Sequence, residues 1–169
     1  MMLSQRAAAT RANVTHRYIS TAETSESLVS FNLELVDFYV SQGIEFLGAA
    51  SVGREVSRAG ARWLAPISPE EVRGYKRDYH VEEAGISFRA ARAMLGHTRE
   101  QVAEEANLSV AVIRALESGE QWQESTRTLQ AYYERKNIEF LGWSDASSKL
   151  FYGVGVRWSA ERAVEGIER

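Results

Sequence analysis

The word Ile-Glu-Phe-Leu-Gly occurs twice in this chain of 169 residues, at 44–48 and again at 138–142. The 94-residue offset that relates the two holds far upstream. Laid over residues 98–142 without a gap, residues 4–48 match at 13 of 45 positions, several times the level of unrelated sequences. The matches include Ala9 with Ala103, Ala12 with Ala106, Asn13 with Asn107, Ile19 with Ile113, Glu23 with Glu117 and Tyr39 with Tyr133. Phe38 faces Tyr132, and after one inserted residue Gly-Ala-Arg-Trp (60–63) faces Gly-Val-Arg-Trp (155–158). A duplication constrains the fold more than any composition does, because what one half builds the other must build in a related form.

The second half is the easier to read. Residues 87–96 predict a short amphipathic helix with Ser87 as N-cap and Gly96 as its stop. Thr98 and Gln101 form a capping box that opens a helix running to Ala106. Asn107 suits a tight turn, since asparagine tolerates a left-handed backbone. Ser109 caps a helix over 110–117, which Gly119 ends. A further helix is predicted over 126–136, then strands over 138–143 and 150–158. Ile44 and Phe46 fall on one strand face, as do Ile138 and Phe140. Each of these strands pairs with the one ending in Trp63 or Trp158, and both tryptophans are expected as core beneath a hairpin. The two hairpins are expected to join edge to edge or pack face to face, which would hide their edges.

A helix, a turn of three residues and a second helix is helix-turn-helix geometry. Residues 97–120, "HTREQVAEEANLSVAVIRALESGE", resemble the Cro/C1 (XRE) family of helix-turn-helix DNA-binding regulators. The resemblance rests on Val102, Ala103, Ala106, the turn Asn107-Leu108-Ser109, Ile113, Leu116 and Glu117. Asn107 stands where the family usually has glycine. The following "LQAYYERKNIEFLG" and "GVGVRW" are similar to the tail of short bacterial members, in which a helix leads into a β-hairpin. The likeness covers residues 87–158 and reaches 4–63 through the repeat. It implies sequence-specific binding of double-stranded DNA, usually by homodimers, in the cytoplasm at the nucleoid. The fold class expected is mainly α with small β: two tandem helix-turn-helix units, each followed by a helix and a β-hairpin. The domains expected are 1–66, a helical linker over 67–86, and 87–169. The linker has its own capping box, Ser68 to Glu71, with Pro69 at the first helical position. That linker helix is a candidate to replace the first helix that the earlier copy lacks. Residues 159–169 read as a short terminal helix or a frayed tail.

Two helices that cross closely need a small residue at the contact, which Ala103 supplies in one copy and Ala9 in the other. With Leu108, Ile113 and Leu116 turned inward, Ser109, Val110, Ala111 and Arg114 face out, where a recognition helix presents side chains to base edges. The equivalents in the first copy are Thr15, His16, Arg17 and Ser20. Arg17 has the fork geometry for guanine, and His16 can donate to bases or phosphates. Gln5, Arg6 and Arg99, at the heads of the preceding helices, complete the candidate DNA-binding set. Residues 1–20 hold three arginines and no acid, and residues 21–50 hold five acids and no base, as expected for a basic reading end and an acidic back. The first copy is poorer in apolar residues, with Ala8 facing Val102 and Ala22 facing Leu116, so its motif is expected to be looser.

The net charge of −3 excludes a nonspecific nucleic-acid binder, which would be basic. It leaves room for a local recognition face. A rival expectation is a protein-binding module, an antitoxin or antiactivator that masks another regulator through exposed Val110 and Val112 on the helix at 109–117. No nucleophile set, metal-ligand spacing or phosphate loop points to an enzyme, a metal or a cofactor. Cysteine is absent, and the three histidines lack ligand spacing. Glu104, Glu105, Glu117, Glu120 and Glu124 read as solvated helix faces. No apolar run is long enough for a membrane span.

Overall fold

A computed structural model of the chain describes residues 5–11, 14–15, 17, 31–49, 56–68 and 79–159. The chain divides into two compact units, Met1–Ile44 and Glu45–Arg169.

In the first unit, α1 spans Gln5–Arg11 and α2 spans Phe31–Ser41. Ala9 and Leu35 are buried against each other's surroundings, with Val14, Phe38 and Tyr39 packed on them. The Val14 amide donates to the Ala9 carbonyl at 3.0 Å and so closes the turn after α1. Gly43, at φ 86°, ends the second helix in the left-handed region, where glycine carries no steric penalty. Strand β1, Ile44–Ala49, follows directly.

The second unit holds β2 (Ser57–Trp63), β3 (Val81–Glu82), α3 (Phe88–Leu95), α4 (Arg99–Ala106), α5 (Val110–Glu117), α6 (Gln123–Arg135), β4 (Ile138–Ser144) and β5 (Phe151–Trp158). The strands form one five-stranded sheet with β5 at its centre. Strand β4 covers one edge of β5 from Ile138↔Trp158 to Ser144↔Phe151, with an irregularity between Leu141 and Trp143. The other edge is shared. Strand β2 takes the C-terminal half of β5 through Gly60↔Arg157, Ala61↔Val156 and Arg62↔Gly155. Strand β3 takes the N-terminal half through Val81↔Tyr152 and Glu82↔Phe151. All three pairings are antiparallel, and β1 lies beyond β2.

The fold is therefore mixed α/β rather than mainly α with small β. Of the two expected arrangements, edge to edge or face to face, the hairpins take the first, through β2 and β5. Joining two hairpins satisfies the backbone groups of both inner edges and makes one five-stranded sheet. The linker adds a strand of its own, β3, which periodicity over two residues could not announce.

The helices α3 to α6 pack on β4 and β5 around Phe88, Val102, Ile113, Leu129, Tyr133 and Ile138. Aromatic edges tie the layers, with Phe88 and Phe140 at 5.7 Å and 80°. Helix α6 starts at Gln123, three residues before the predicted start. Ser87 does occupy the N-cap of α3, without a side-chain cap bond, while Gly96 ends the helix at φ 67° as expected. Trp63 is half-buried but is not core. It stacks on His80 at 3.7 Å and donates through Nε1 to Glu82 at 3.2 Å. Trp158 does pack against the core. The predicted linker helix (68–80) and terminal segment (159–169) lie outside the described residues except at Ser68, Tyr79, His80 and Ser159, none of which is helical.

Candidate nucleic-acid interface

Helix α4 opens with the complete capping box that its sequence dictates. The Gln101 amide donates to Thr98 Oγ1 at 3.2 Å, and the Thr98 amide donates to Gln101 Oε1 at 2.8 Å. At its end Asn107 adopts φ 53°, ψ 46°. The Leu108 amide then reaches back to the Ala103 carbonyl at 2.9 Å, the six-to-one bond that closes a left-handed helix terminus. Ser109 turns extended and its side chain accepts from the Val112 amide at 3.2 Å, which starts α5. Ala103 is buried at the crossing of the two helices, and Ile113 and Leu116 anchor α5 in the core.

Ser109, Ala111 and Arg114 are exposed on the outer face of α5, as the spacing predicts. Arg114 makes no ion pair among the described residues and is available to an external acceptor. Val110 is different: it and Val112 are half-buried and packed against the core. The expected apolar exposed stripe is thus corrected, because α5 is rotated far enough inward to shelter both valines. Arg99 is only partly exposed and is already engaged by Glu117.

That engagement is the main feature that the sequence reading missed. The Glu117 side chain is fully buried and receives three charge-assisted bonds. Arg92 donates through Nε at 2.5 Å and through Nη2 at 3.3 Å, and Arg99 donates through Nε at 2.7 Å. Arg92 also donates to the His97 carbonyl at 3.1 Å. One carboxylate therefore ties the end of α5 to α3 and to the start of α4. Burial works against the charge of Glu117, but the two arginines outweigh it and hold the carboxyl below its ordinary range. The bond to Glu117 correspondingly raises Arg92. Glu117 is not a solvated helix face, because a glutamate facing two arginines can be desolvated without being neutralised. The identity of Glu23 with Glu117 across the repeat was the available signal.

A second polar cluster lies at the other end of α4. Tyr132 Oη donates to Glu105 Oε2 and bonds His97 Nδ1, each at 3.2 Å, and Lys136 pairs with Glu105 at 2.7 Å. Burial, with Glu105 adjoining, pushes the Tyr132 hydroxyl up to about 12. Glu104, Glu120 and Glu124 are exposed as expected.

In the first unit Arg6, Thr15 and Arg17 are exposed. Gln5 begins α1. His16 and Ser20 lie outside the described residues, as do most of residues 16–30, which the repeat assigns to a first recognition helix.

Residues 88–123, from α3 to the first residue of α6, match the family model described as Helix-turn-helix, an XRE-type motif of DNA-binding regulators rather than of enzymes. No curated protein and no solved structure matches the chain. No helix among the described residues is long and apolar enough to cross a membrane.

Proposed function

We propose that the helix-turn-helix of residues 88–123 makes this chain a sequence-specific regulator that reads double-stranded DNA with the outer face of α5. The observation that carries this reading is the face itself. Ser109, Ala111 and Arg114 project outward from a helix whose entry is fixed by the Ser109 side-chain cap and whose exit is fixed by Glu117. Pre-positioning of this kind suits groove docking, in which N-terminal residues of the second helix meet base edges. Arg114 offers the bidentate fork and Ala111 an apolar contact for a thymine methyl. Arg99, held by Glu117, serves better to fix the frame than to read bases. Regulation then follows from occluding a promoter or recruiting to it, at the nucleoid in the cytoplasm.

We also read residues 1–66 as a second, degenerate copy of the 87–169 unit, joined by the 67–86 linker. Several matched details support this. The Val14–Ala9 bond of 3.0 Å corresponds to the Leu108–Ala103 bond of 2.9 Å. The packed set Ala9, Val14, Leu35, Phe38 and Tyr39 corresponds to Ala103, Leu108, Leu129, Tyr132 and Tyr133. Gly43 and Asn137, both left-handed, precede the two copies of the repeated word. On this reading Arg6, Thr15, His16, Arg17 and Ser20, near Gln5, form a second reading head.

The motif itself is not basic: residues 88–123 hold four arginines against five glutamates. Affinity should therefore rest on few phosphate contacts and fall only shallowly with salt. A gel shift or anisotropy titration against the region upstream of the chain's own gene tests the reading. Arg114→Ala should weaken specific binding by about 1–3 kcal/mol and relax preference at one base position. Unchanged affinity for both Arg114→Ala and Arg17→Ala at moderate salt would transfer the function to a protein partner, as an antitoxin or antiactivator would bind. Val110 and Val112 are half-buried, which reduces the apolar surface that such a partner would use.

A further inference from the structure

Along the seam between β2 and β5 each strand pairs with its own repeat equivalent, a choice of partner that the sheet's hydrogen bonding alone does not require. In the repeat, Gly60, Ala61 and Arg62 correspond to Gly155, Val156 and Arg157. The observed register is Gly60↔Arg157, Ala61↔Val156 and Arg62↔Gly155. Ala61 thus faces its own equivalent, Gly60 faces the equivalent of Arg62, and Arg62 faces the equivalent of Gly60. Exchanging the two strands leaves the register unchanged. Any antiparallel register of two equivalent strands has this property; what marks the seam is that β5 takes its own repeat equivalent, β2, as an antiparallel neighbour, with Ala61 and Val156 at the centre of the pairing.

Three further observations share the same centre. Arg62 Nε donates to Glu45 at 2.6 Å, and Arg157 Nε donates to Glu139 at 2.7 Å, so corresponding ion pairs brace the two hairpins. A Cβ on Gly60 would strike the Val156 carbonyl and the Arg157 Cα. A Cβ on Gly155 would strike the Ala61 carbonyl and the Arg62 Cα, which are the corresponding atoms. Finally, Arg58 (φ 54°) and Gly153 (φ 63°) occupy equivalent positions and both adopt the left-handed region, which is uncommon for a residue other than glycine.

We infer that the β2–β5 seam is a homodimer interface internalised in one chain: a local twofold passes between Ala61 and Val156, and a single chain does the work of a dimer. An isologous interface places the same patch of both partners across a dyad, and this seam places repeat equivalents in that relation. The β5 edges are filled, one by β4 and the other by β2 and β3, so β5 offers no edge to a second chain. Resting on the DNA-binding reading above, the consequence is that one chain, not two, occupies one operator. That operator is an imperfect palindrome, because the two heads present different side chains.

The test uses the full chain, which has no cysteine of its own. Ala61→Cys combined with Val156→Cys puts two thiols directly opposite each other, where Cα separations in antiparallel pairs fall within disulfide range. Diamide oxidation should give an intrachain crosslink that migrates as one chain on a non-reducing gel. Light scattering of the unsubstituted chain should give the mass of one chain free, and one chain per duplex when bound. A two-chain crosslinked species, or a two-chain mass free or on one operator, would overturn the inference, since the seam or the site would then be built between copies. An intrachain crosslink and a one-chain mass without any DNA binding would uphold the internal dyad and sink the DNA reading instead.

Discussion

The two copies of Ile-Glu-Phe-Leu-Gly begin alike and end in different surroundings. Each follows a left-handed residue, each starts a strand, and each aims its glutamate at an arginine of the neighbouring strand. Burial then separates them. Ile138 is 1% exposed and Phe140 packs against Phe88, whereas Ile44 is only half-buried and Phe46 is 47% exposed. The same five residues thus set strand direction, pairing and the ion pair, but not their own contribution to stability. That contribution depends on the roof, and in the second copy α3 and α6 provide it.

The largest expected effect tests the polar side of this difference. Glu117→Gln leaves Arg92 and Arg99 facing a neutral amide and should cost about 3–5 kcal/mol, measured by urea unfolding. Its repeat partner Glu23 should cost less than about 1 kcal/mol on the same substitution, because the position matching Arg99 is Gln5. Equal losses would break the claim that only the second copy is clamped. The pH dependence follows from the lowered carboxyl of Glu117. Its stabilisation is present above the ordinary value of 4.5 and is lost as pH falls from there through the lower folded value. Glu117→Gln should therefore flatten the acid limb of a stability–pH profile below pH 4.5.

Next in size is the apolar side. Ile138→Ala should cost about 2–4 kcal/mol, within the range for a buried isoleucine, and Ile44→Ala clearly less. The difference between the two denaturation midpoints measures the roof, and no difference would show that the exposed copy is equally covered in solution. The smallest effect concerns Tyr133, whose buried hydroxyl has no hydrogen-bond partner among the described residues and is shifted upward by burial. Tyr133→Phe should be neutral or stabilising by up to about 1 kcal/mol, since it removes an unsatisfied group at nearly constant shape. A loss above that range in calorimetry would reveal a bonded partner for the hydroxyl.

The sequence by itself determined whatever depends on a few neighbouring residues. The Thr98–Gln101 box, the left-handed Asn107, the Ser109 cap and the α4–turn–α5 unit were legible because each is set by bonds reaching at most five residues. The outward face of Ser109, Ala111 and Arg114 followed from the same helical period. The strands expected over 138–143 and 150–158, observed as Ile138–Ser144 and Phe151–Trp158, followed from alternation within one hairpin. Tertiary structure decided the rest. It buried Glu117 by bringing up Arg92 from 25 residues away. It sheltered Val110 and Val112, moved Trp63 from core to a stack on His80, and merged two hairpins and β3 into one sheet. Helical period and capping chemistry state which way a side chain leaves its own backbone, but not what meets it there. What meets it depends on segments far along the chain, and those are placed by the packing of the whole.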